Sequence, residues 1–450
     1  MSHESPGRVL VVGLGVAGEA AARRLSERGW TVRVVEDHPG PTSRTRAAAL
    51  AGRGVTTVEA PDAAALERLV ADADLVVPSP PVPPTHPAIV AAMDRGLPVW
   101  SEFELAARWS SLPLVAVTGT NGKTTVTTLV EAMLVASGLR TVSAGNNDLP
   151  LVDALVDEAD LDVVVVEASS FRLHFTERFR PRVATWLNHA EDHLDWHPSM
   201  DHYAGAKARV WAAQRHGDVA VANAEDPVVM AAAQGLRSRL VTFGLERGDW
   251  RTADEHLVMP DGEVLLDVDE LWRALPHDLA NALAAAATAL AAGASLEAVR
   301  TALRNFRGLA HRVSLVAEHG GVRYYDDSKA TDPHAATAAL AGFASVVLIA
   351  GGRNKGLDLG LLRSEASRLR AVVAIGEAST EVAQAFGATP VPVVPADSMD
   401  GAVAAARAAA RPGDVILLSP GCASFDWYSS YAERGDDFAR AVAASIGAPA

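Results

Sequence analysis

The sequence predicts three successive α/β domains with mostly parallel sheets, on three observations. Its 450 residues suffice for about three domains of ~150 residues each. Short apolar runs rich in valine alternate with helical patterns along the chain, as parallel sheets with crossover helices require. Two of those runs end directly in glycine-rich turns, Gly13-Leu14-Gly15-Val16-Ala17-Gly18 and Thr118-Gly119-Thr120-Asn121-Gly122-Lys123-Thr124-Thr125.

Residues 8–12 form the first strand, a helical pattern runs to Gly29, and 31–35 form the second strand. Residues 75–77 are a further buried strand. The proline-rich segment 78–84 is expected to be a rigid surface loop, since proline suits neither helix interiors nor central strands. A first boundary falls between 101 and 112, ahead of the strand 114–117, and the domains are expected at 1–104, 105–309 and 310–450. In the second domain the valine run 163–166, which ends on Glu167, has the character of a strand covered on both faces. Helices around 279–292 and 296–306 close that domain. The third opens with a hairpin-like stretch from Val313 and continues with strands at 346–350, 372–375 and 415–418.

Composition narrows the function. With 40 basic against 55 acidic residues the net charge is −15, so a broad nucleic-acid surface is excluded. Apolar residues make up 49% and charged residues 21%, which is globular rather than disordered. Cys422 is the single cysteine, and a chain without an internal disulfide fits a reducing compartment. The first residues lack the basic and apolar regions of a signal peptide. The most apolar stretch carries Asn281 and reads as a buried helix, not a membrane span. A cytoplasmic monomer is expected. Only four of the 40 basic residues are lysine, namely Lys123, Lys207, Lys329 and Lys355. Where any cation suffices this chain uses arginine, so these four mark positions that require a compact or deprotonatable amine.

The two turns carry the chemistry. In the first, Gly13, Gly15 and Gly18 permit a tight bend and let a phosphate approach the N–H groups at a helix N-terminus. Glu36, followed by Asp37, ends the second strand where an acidic residue usually holds a ribose. On these residues alone an NAD-dependent oxidoreductase remains open. The second turn wraps phosphate with backbone amides, sets Lys123 on the outer phosphates and offers the Thr124 hydroxyl to Mg²⁺. Val117 stands where the usual P-loop has its leading glycine. A nucleoside triphosphate is the expected ligand.

Thr-Gly-Thr-Asn-Gly-Lys-Thr resembles the P-loop of the Mur ligases and the related folylpolyglutamate synthases. The Gly13-Leu14-Gly15 domain favours the Mur ligases, and the resemblance runs from Val9 to near Phe438. It implies a Rossmann-like N-terminal domain that holds UDP rather than NAD, a central ATP-binding domain and a Rossmann-like C-terminal domain for the incoming amino acid. The implied activity is ATP-dependent addition of D-glutamate to UDP-N-acetylmuramoyl-L-alanine through an acyl phosphate, in peptidoglycan synthesis. A different acidic amino acid is the alternative acceptor.

The resemblance also implies a set of site residues. Gly119, Thr120, Asn121, Gly122, Lys123, Thr124 and Thr125 would hold ATP, with Asn281 at the adenine. Asp278, in the same segment as His277, replaces the more usual asparagine. Arg312 and Lys329 would reach the ATP phosphates and Asp327 the ribose; an Arg312–Asp327 salt bridge is the rival reading. Thr124, Glu167, His193 and a CO₂-derived carbamate on Lys207 would hold two Mg²⁺ ions, with a zinc pair of His193 and His197 as rival. Gly13, Leu14, Gly15, Val16, Gly18, Glu36, Asp37, Ser79 and Asn146 would contact the UDP substrate, while Asn147 and Asp148 replace the usual isoleucine and glycine. Thr331 and Lys355 would take one carboxylate of D-glutamate, and Ser424 and the Tyr431 main chain the other. Tyr431 stands where the family often has phenylalanine, a change that a main-chain contact should tolerate. Lys123, Lys207, His193 and Lys329 would be the catalytic set. Cys422, without a nearby histidine base, reads as a packed thiol rather than a nucleophile.

Overall fold

The computed structural model describes residues 5–146, 149–156 and 158–447. The described residues form two compact units: one comprises 5–189, 196–266 and 282–303, the other 190–195, 267–281 and 304–447.

In the first unit, strands β1 (Arg8–Val12), β2 (Thr31–Glu36), β3 (Thr56–Glu59) and β4 (Leu75–Pro78) make a sheet of order β3-β2-β1-β4, parallel throughout. A second sheet contains β5 (Leu114–Thr118), β6 (Thr141–Gly145), β7 (Val163–Glu167), β8 (Val183–Trp186), β9 (Val219–Asn223) and β10 (Arg239–Phe243), in the order β10-β9-β8-β5-β7-β6. Every residue of β5, β7 and β8 is buried, which is why these strands read as unbroken apolar runs rather than alternating ones. The chain leaves β5 toward one edge of this sheet and later crosses β5 to the other, and this switch of direction opens a crevice at the carboxyl ends of the central strands. The helix Val16–Glu27 is tied to the central region by Arg23 and Arg24, each 2.7 Å from a carboxylate oxygen of Asp153. The helix Glu102–Trp109 straddles the boundary expected at 104/105. Strands β11 (Arg251–Ala253), β12 (His256–Val258) and β13 (Val264–Asp267) form a small sheet that the sequence reading did not anticipate.

In the second unit, β14 (Ser314–His319) and β15 (Val322–Asp326) form the expected hairpin. With β16 (Val346–Gly351), β17 (Leu369–Ile375), β18 (Val393–Pro395) and β19 (Val415–Leu418) they complete a sheet of order β14-β15-β19-β16-β17-β18. All pairs after the hairpin are parallel.

One expectation needs correcting. Segment 78–84 is not simply a surface loop, because Pro78 pairs with Val12 as the last residue of β4 and both Pro78 and Ser79 are buried. An edge strand tolerates proline on its unpaired side. No helix among the described residues is long and apolar enough to cross a membrane.

Candidate active site

The first glycine turn leaves β1 with Gly13 in the left-handed region at φ 86°. A Cβ on Gly18 would lie 2.1 Å from the Gly13 carbonyl oxygen, so the turn closes only on glycine. Ser79 follows β4, the neighbouring strand, and its Oγ would lie 3.1 Å from a Cβ on Gly15 and 3.2 Å from one on Gly18. That hydroxyl is buried and has no hydrogen-bond partner. An orphaned donor aimed into a turn of backbone amides suits a phosphate. Glu36, expected at the substrate, accepts the Leu14 N–H on Oε2 at 2.8 Å and the His38 N–H on Oε1 at 3.0 Å. The carboxylate thus shapes the turn, each oxygen holding one backbone N–H and keeping a lone pair for a further donor. His86, which the sequence reading missed, accepts the Ala88 N–H on Nδ1 at 3.2 Å. Its Nε2 therefore carries the proton and donates to Asp37 Oδ2 at 2.8 Å. We predict that Gly15→Val weakens calorimetric binding of a UDP-muramoyl ligand while NADH gives no saturable heat to either form. Saturable NADH binding that the substitution removes would overturn the assignment of this domain.

The second glycine turn joins β5 to the helix Lys123–Ala136, with Gly122 at φ 87° as its N-cap. Asn188, just after β8, clamps the turn: Oδ1 accepts the Thr120 and Asn121 N–H groups at 3.0 and 2.9 Å, and Nδ2 donates to the Asn121 carbonyl at 3.1 Å. Lys123 Nζ donates to the Gly119 and Thr120 carbonyls at 2.9 and 2.8 Å. Lys207, on the helix Met200–Ala212, is 1% exposed. Its Nζ donates to the same Gly119 carbonyl at 2.7 Å and lies 4.3 Å from the centre of the Tyr203 ring. Two ammonium groups thus converge on one oxygen, an arrangement that calls for an anion. Burial, with the charge of Lys207 beside it, holds His189 below its ordinary pKa. Replacing Asn188 with alanine is expected to raise the KM for ATP by roughly tenfold, the loss of about one hydrogen bond to a positioned loop; an unchanged KM would remove Asn188 from the nucleotide site.

Glu167 ends β7 opposite Val117 of β5, one residue before the turn, and is 4% exposed. It accepts a hydrogen bond from Asn146 Nδ2 at 3.0 Å. Arg172 Nη1 donates to Asn146 Oδ1 at 3.1 Å, and its Nε donates to Glu102 Oε1 at 3.1 Å. Burial pushes Glu102 up and the Arg172 guanidinium down, as expected of an ion pair taken out of water. This chain orients the amide of Asn146 and through it one side of Glu167. The carboxylate of Glu167 and the hydroxyl of Thr124 are hard oxygen donors beside a phosphate loop, which fits Mg²⁺. Asn147 and Asp148 lie outside the described residues.

In the second unit, three loops leave the carboxyl ends of the neighbouring strands β15, β19 and β16. They carry Asp327, Lys329 and Thr331; Ser424; and Lys355 respectively. The loops touch closely, since a Cβ on Gly352 would lie 2.4 Å from the Ala423 carbonyl oxygen. Arg434 is fully buried and joins them, donating to Ser328 Oγ at 2.9 Å, the Ser328 carbonyl at 2.8 Å and the Cys422 carbonyl at 3.1 Å. Burial lowers its pKa to about 10. Lys355 Nζ donates to Asp192 Oδ1 at 3.0 Å, and His193 Nε2 lies 3.2 Å from Asp192 Oδ2. Burial would raise Asp192, but His193 and Lys355 hold it below the usual carboxylate range. His193 adopts φ 58°, a conformation that non-glycine residues keep mainly where the surroundings impose it.

Arg312 stands between His311 at φ 59° and Val313 at φ 49°, the second an outlier for a β-branched residue. Arg273 braces this turn by donating to the Arg312 and Val313 carbonyls. It also forms a two-point pair with Asp278, at 2.6 and 2.8 Å. That pair accounts for the aspartate where asparagine is usual. The neighbouring His277 Nδ1 is buried without a hydrogen-bond partner, and Asn281 follows half-buried on the same helix. Asp327 lies in an internal network: Oδ1 accepts the Val313 N–H at 3.2 Å and Oδ2 the Ser419 hydroxyl at 2.7 Å. Burial pushes its pKa up to about 7.

These positions bear on three of the readings and add to one of them, that of Tyr431. His197 turns Nε2 to Ser170 Oγ at 2.9 Å and Nδ1 to His202 Nδ1 at 2.8 Å, so its ring nitrogens serve protein partners rather than zinc. Cys422 is 1% exposed and burial raises its thiol to about 12, which makes it a packed thiol and not a nucleophile. Tyr431 is more than a main-chain contact, because its hydroxyl accepts a hydrogen bond from Lys329 Nζ at 2.8 Å.

A P-loop flanked by a strand-end carboxylate and a second buried lysine, with further loops gathered at the carboxyl ends of strands in the other two large sheets, is the arrangement of an ATP-dependent ligase. Residues 7–101 match the N-terminal domain of MurD-like Mur ligases, 117–289 the Mur ligase middle domain and 311–422 the Mur ligase glutamate ligase domain. The chain is 48% identical to the UDP-N-acetylmuramoylalanine--D-glutamate ligase of Frankia casuarinae, over 98% of this chain and 94% of that one. The enzyme of the same name from Thermobifida fusca is 43% identical, over 98% and 99%. The chain belongs to the Mur ligase family. Its fold is shared with the UDP-N-acetylmuramate-alanine ligase MurC of Thermotoga maritima, with a TM-score of 0.58 at 21% identity over 97% of this chain and 99% of that one. FolC of E. coli, solved with DHPP and ADP, gives a TM-score of 0.56 at 20% identity but covers 77% of this chain and 92% of its own.

Proposed function

We propose that the protein joins D-glutamate to UDP-N-acetylmuramoyl-L-alanine with ATP, in the cytoplasmic stage of peptidoglycan synthesis. The observation that carries this reading is 48% identity to a D-glutamate ligase over nearly the full length of both chains. The alanyl carboxylate attacks the γ-phosphorus, ADP leaves, and an acyl phosphate results. The amine of D-glutamate attacks the acyl carbon; the tetrahedral intermediate expels phosphate and loses the amine proton, leaving an amide. No protein nucleophile takes part, so catalysis is positioning and charge neutralisation.

Each domain then has one task. Residues 1–104 hold the UDP handle, through the amides of 13–18 and the Ser79 hydroxyl, far from the reacting carboxylate, and that remote binding energy orients it. Residues 105–309 hold ATP, with Lys123 turning from its two carbonyls to the phosphates. Residues 310–450 supply Arg312 and Lys329 to the phosphates and Thr331, Lys355, Ser424 and Tyr431 to D-glutamate. Thr124, Glu167, His193 and Lys207 as a carbamate would hold two Mg²⁺ ions, which when bound offset the charge that develops on the phosphoryl group. To form the carbamate, the neutral Lys207 amine adds to CO₂ and releases a proton. The convergence of Lys123 and Lys207 on one carbonyl supports this, because a carbamate turns a repulsion between cations into an attraction.

The test is phosphate release from ATP with UDP-N-acetylmuramoyl-L-alanine and each of D-glutamate, L-glutamate and D-aspartate in turn. Release that depends on D-glutamate is the expected result. Release indifferent to the amino acid would overturn the ligase reading, and a preference for another acceptor would replace the substrate.

A further inference from the structure

We infer that the Tyr431 hydroxyl is the seat that orients Lys329, so that one residue serves both the acceptor site and the phosphate site. The inference rests on the roles proposed above for these two residues. Lys329 Nζ lies 2.8 Å from the Tyr431 hydroxyl oxygen and 4.1 Å from the centre of the ring. The ammonium donates, the phenol oxygen accepts, and two further N–H bonds of the ammonium stay available for phosphate oxygens.

The surroundings make the hydroxyl a fixed point. Tyr431 is the first residue of the helix Tyr431–Ile446, whose N-cap Ser430 accepts the Glu433 N–H at 3.1 Å. Its carbonyl accepts from Ser328 Oγ at 2.7 Å, and that oxygen in turn accepts from the buried Arg434. The Lys329 N–H donates to the His311 carbonyl at 3.1 Å. Both backbones are therefore held, and what remains loose is the four-carbon stem of the lysine. The hydroxyl restrains its far end. Phenylalanine at this position would keep the ring and the main-chain contacts but present no acceptor to the ammonium. The tyrosine is thus a positioning residue for phosphoryl transfer, separable from the main-chain contact to D-glutamate.

The test is Tyr431→Phe, alone and combined with Lys329→Ala, in the full-length enzyme. Tyr431→Phe should melt at the wild-type temperature and keep the KM for D-glutamate within a factor of about two. Its kcat should fall roughly tenfold, the loss of one hydrogen bond to a charged group. Lys329→Ala should lower kcat further, and adding Tyr431→Phe to it should change nothing more, because the hydroxyl acts only through the lysine. Wild-type kcat in Tyr431→Phe, or an equal tenfold loss in the Lys329→Ala background, would overturn the inference. Full activity of Lys329→Ala would instead overturn the role of the lysine itself, and the inference with it.

Discussion

Replacing Lys207 with arginine is expected to abolish ligation as completely as replacing it with alanine. If the site required only a cation near the phosphate loop, arginine would supply one, as it does at 36 of the 40 basic positions of this chain. The structure argues for a different requirement. Lys207 is 1% exposed, and its Nζ meets the Gly119 carbonyl at 2.7 Å, where Lys123 already donates at 2.9 Å. A second permanent cation there gains little and crowds the first. An amine can lose its proton and add CO₂, whereas a guanidinium stays protonated and cannot. Removing a preorganised electrostatic group of this kind typically lowers kcat by ~10²–10³. Both variants should show that loss, with melting temperatures measured alongside to separate it from unfolding. Formate or acetate should partly restore the alanine variant, by placing a carboxylate in the vacated space, and should do nothing for arginine, which fills it. An arginine variant at wild-type rate would contradict the carbamate.

How much of this was legible beforehand follows from the range of the interactions. The glycine turns, the buried valine strands and the strand-end position of Glu167 are local features, and the structure has them where the sequence places them. Lys207 would have passed for a solvated residue on an alanine-rich helix but for the scarcity of lysine. The partners that hold these residues are distant in sequence. Asn188 clamps Asn121 across 67 residues, Arg172 meets Glu102 across 70, and Lys355 meets Asp192 across 163. No periodicity encodes such pairs, because the order of strands in the sheets decides them. Other misses were readable. The small sheet of β11 to β13 contains Pro260-Asp261-Gly262, a turn signal, and Met259 bonds across it to Glu263. Arg273 lies only five residues before Asp278, close enough to match the unusual aspartate to a cation. Tyr431 taught the opposite lesson: tolerance of a main chain to substitution says nothing about a hydroxyl with work of its own.

Lys355→Ala is expected to raise the KM for D-glutamate by about one to two decades, from the ~1.5–3 kcal/mol of a charge-assisted contact to a carboxylate. The KM for ATP should change much less. Part of the loss will not be the contact itself. Lys355 Nζ donates to Asp192 Oδ1 at 3.0 Å, and the aspartate side chain is 8% exposed. Burial alone would raise its pKa; His193 and Lys355 together keep it ionised. Removing the lysine leaves a buried carboxylate short of one cation, beside the place proposed for the anionic substrate. Both effects act against D-glutamate, the second by repulsion. Asp192→Asn in the Lys355→Ala background removes the stranded charge, so it should recover part of the lost affinity, and the double-mutant cycle measures that part. No recovery would mean that the whole effect is the lost lysine–carboxylate contact. A rise in the KM for ATP with D-glutamate unaffected would move Lys355 to the phosphate site and leave Thr331 and Ser424 to hold the acceptor without it.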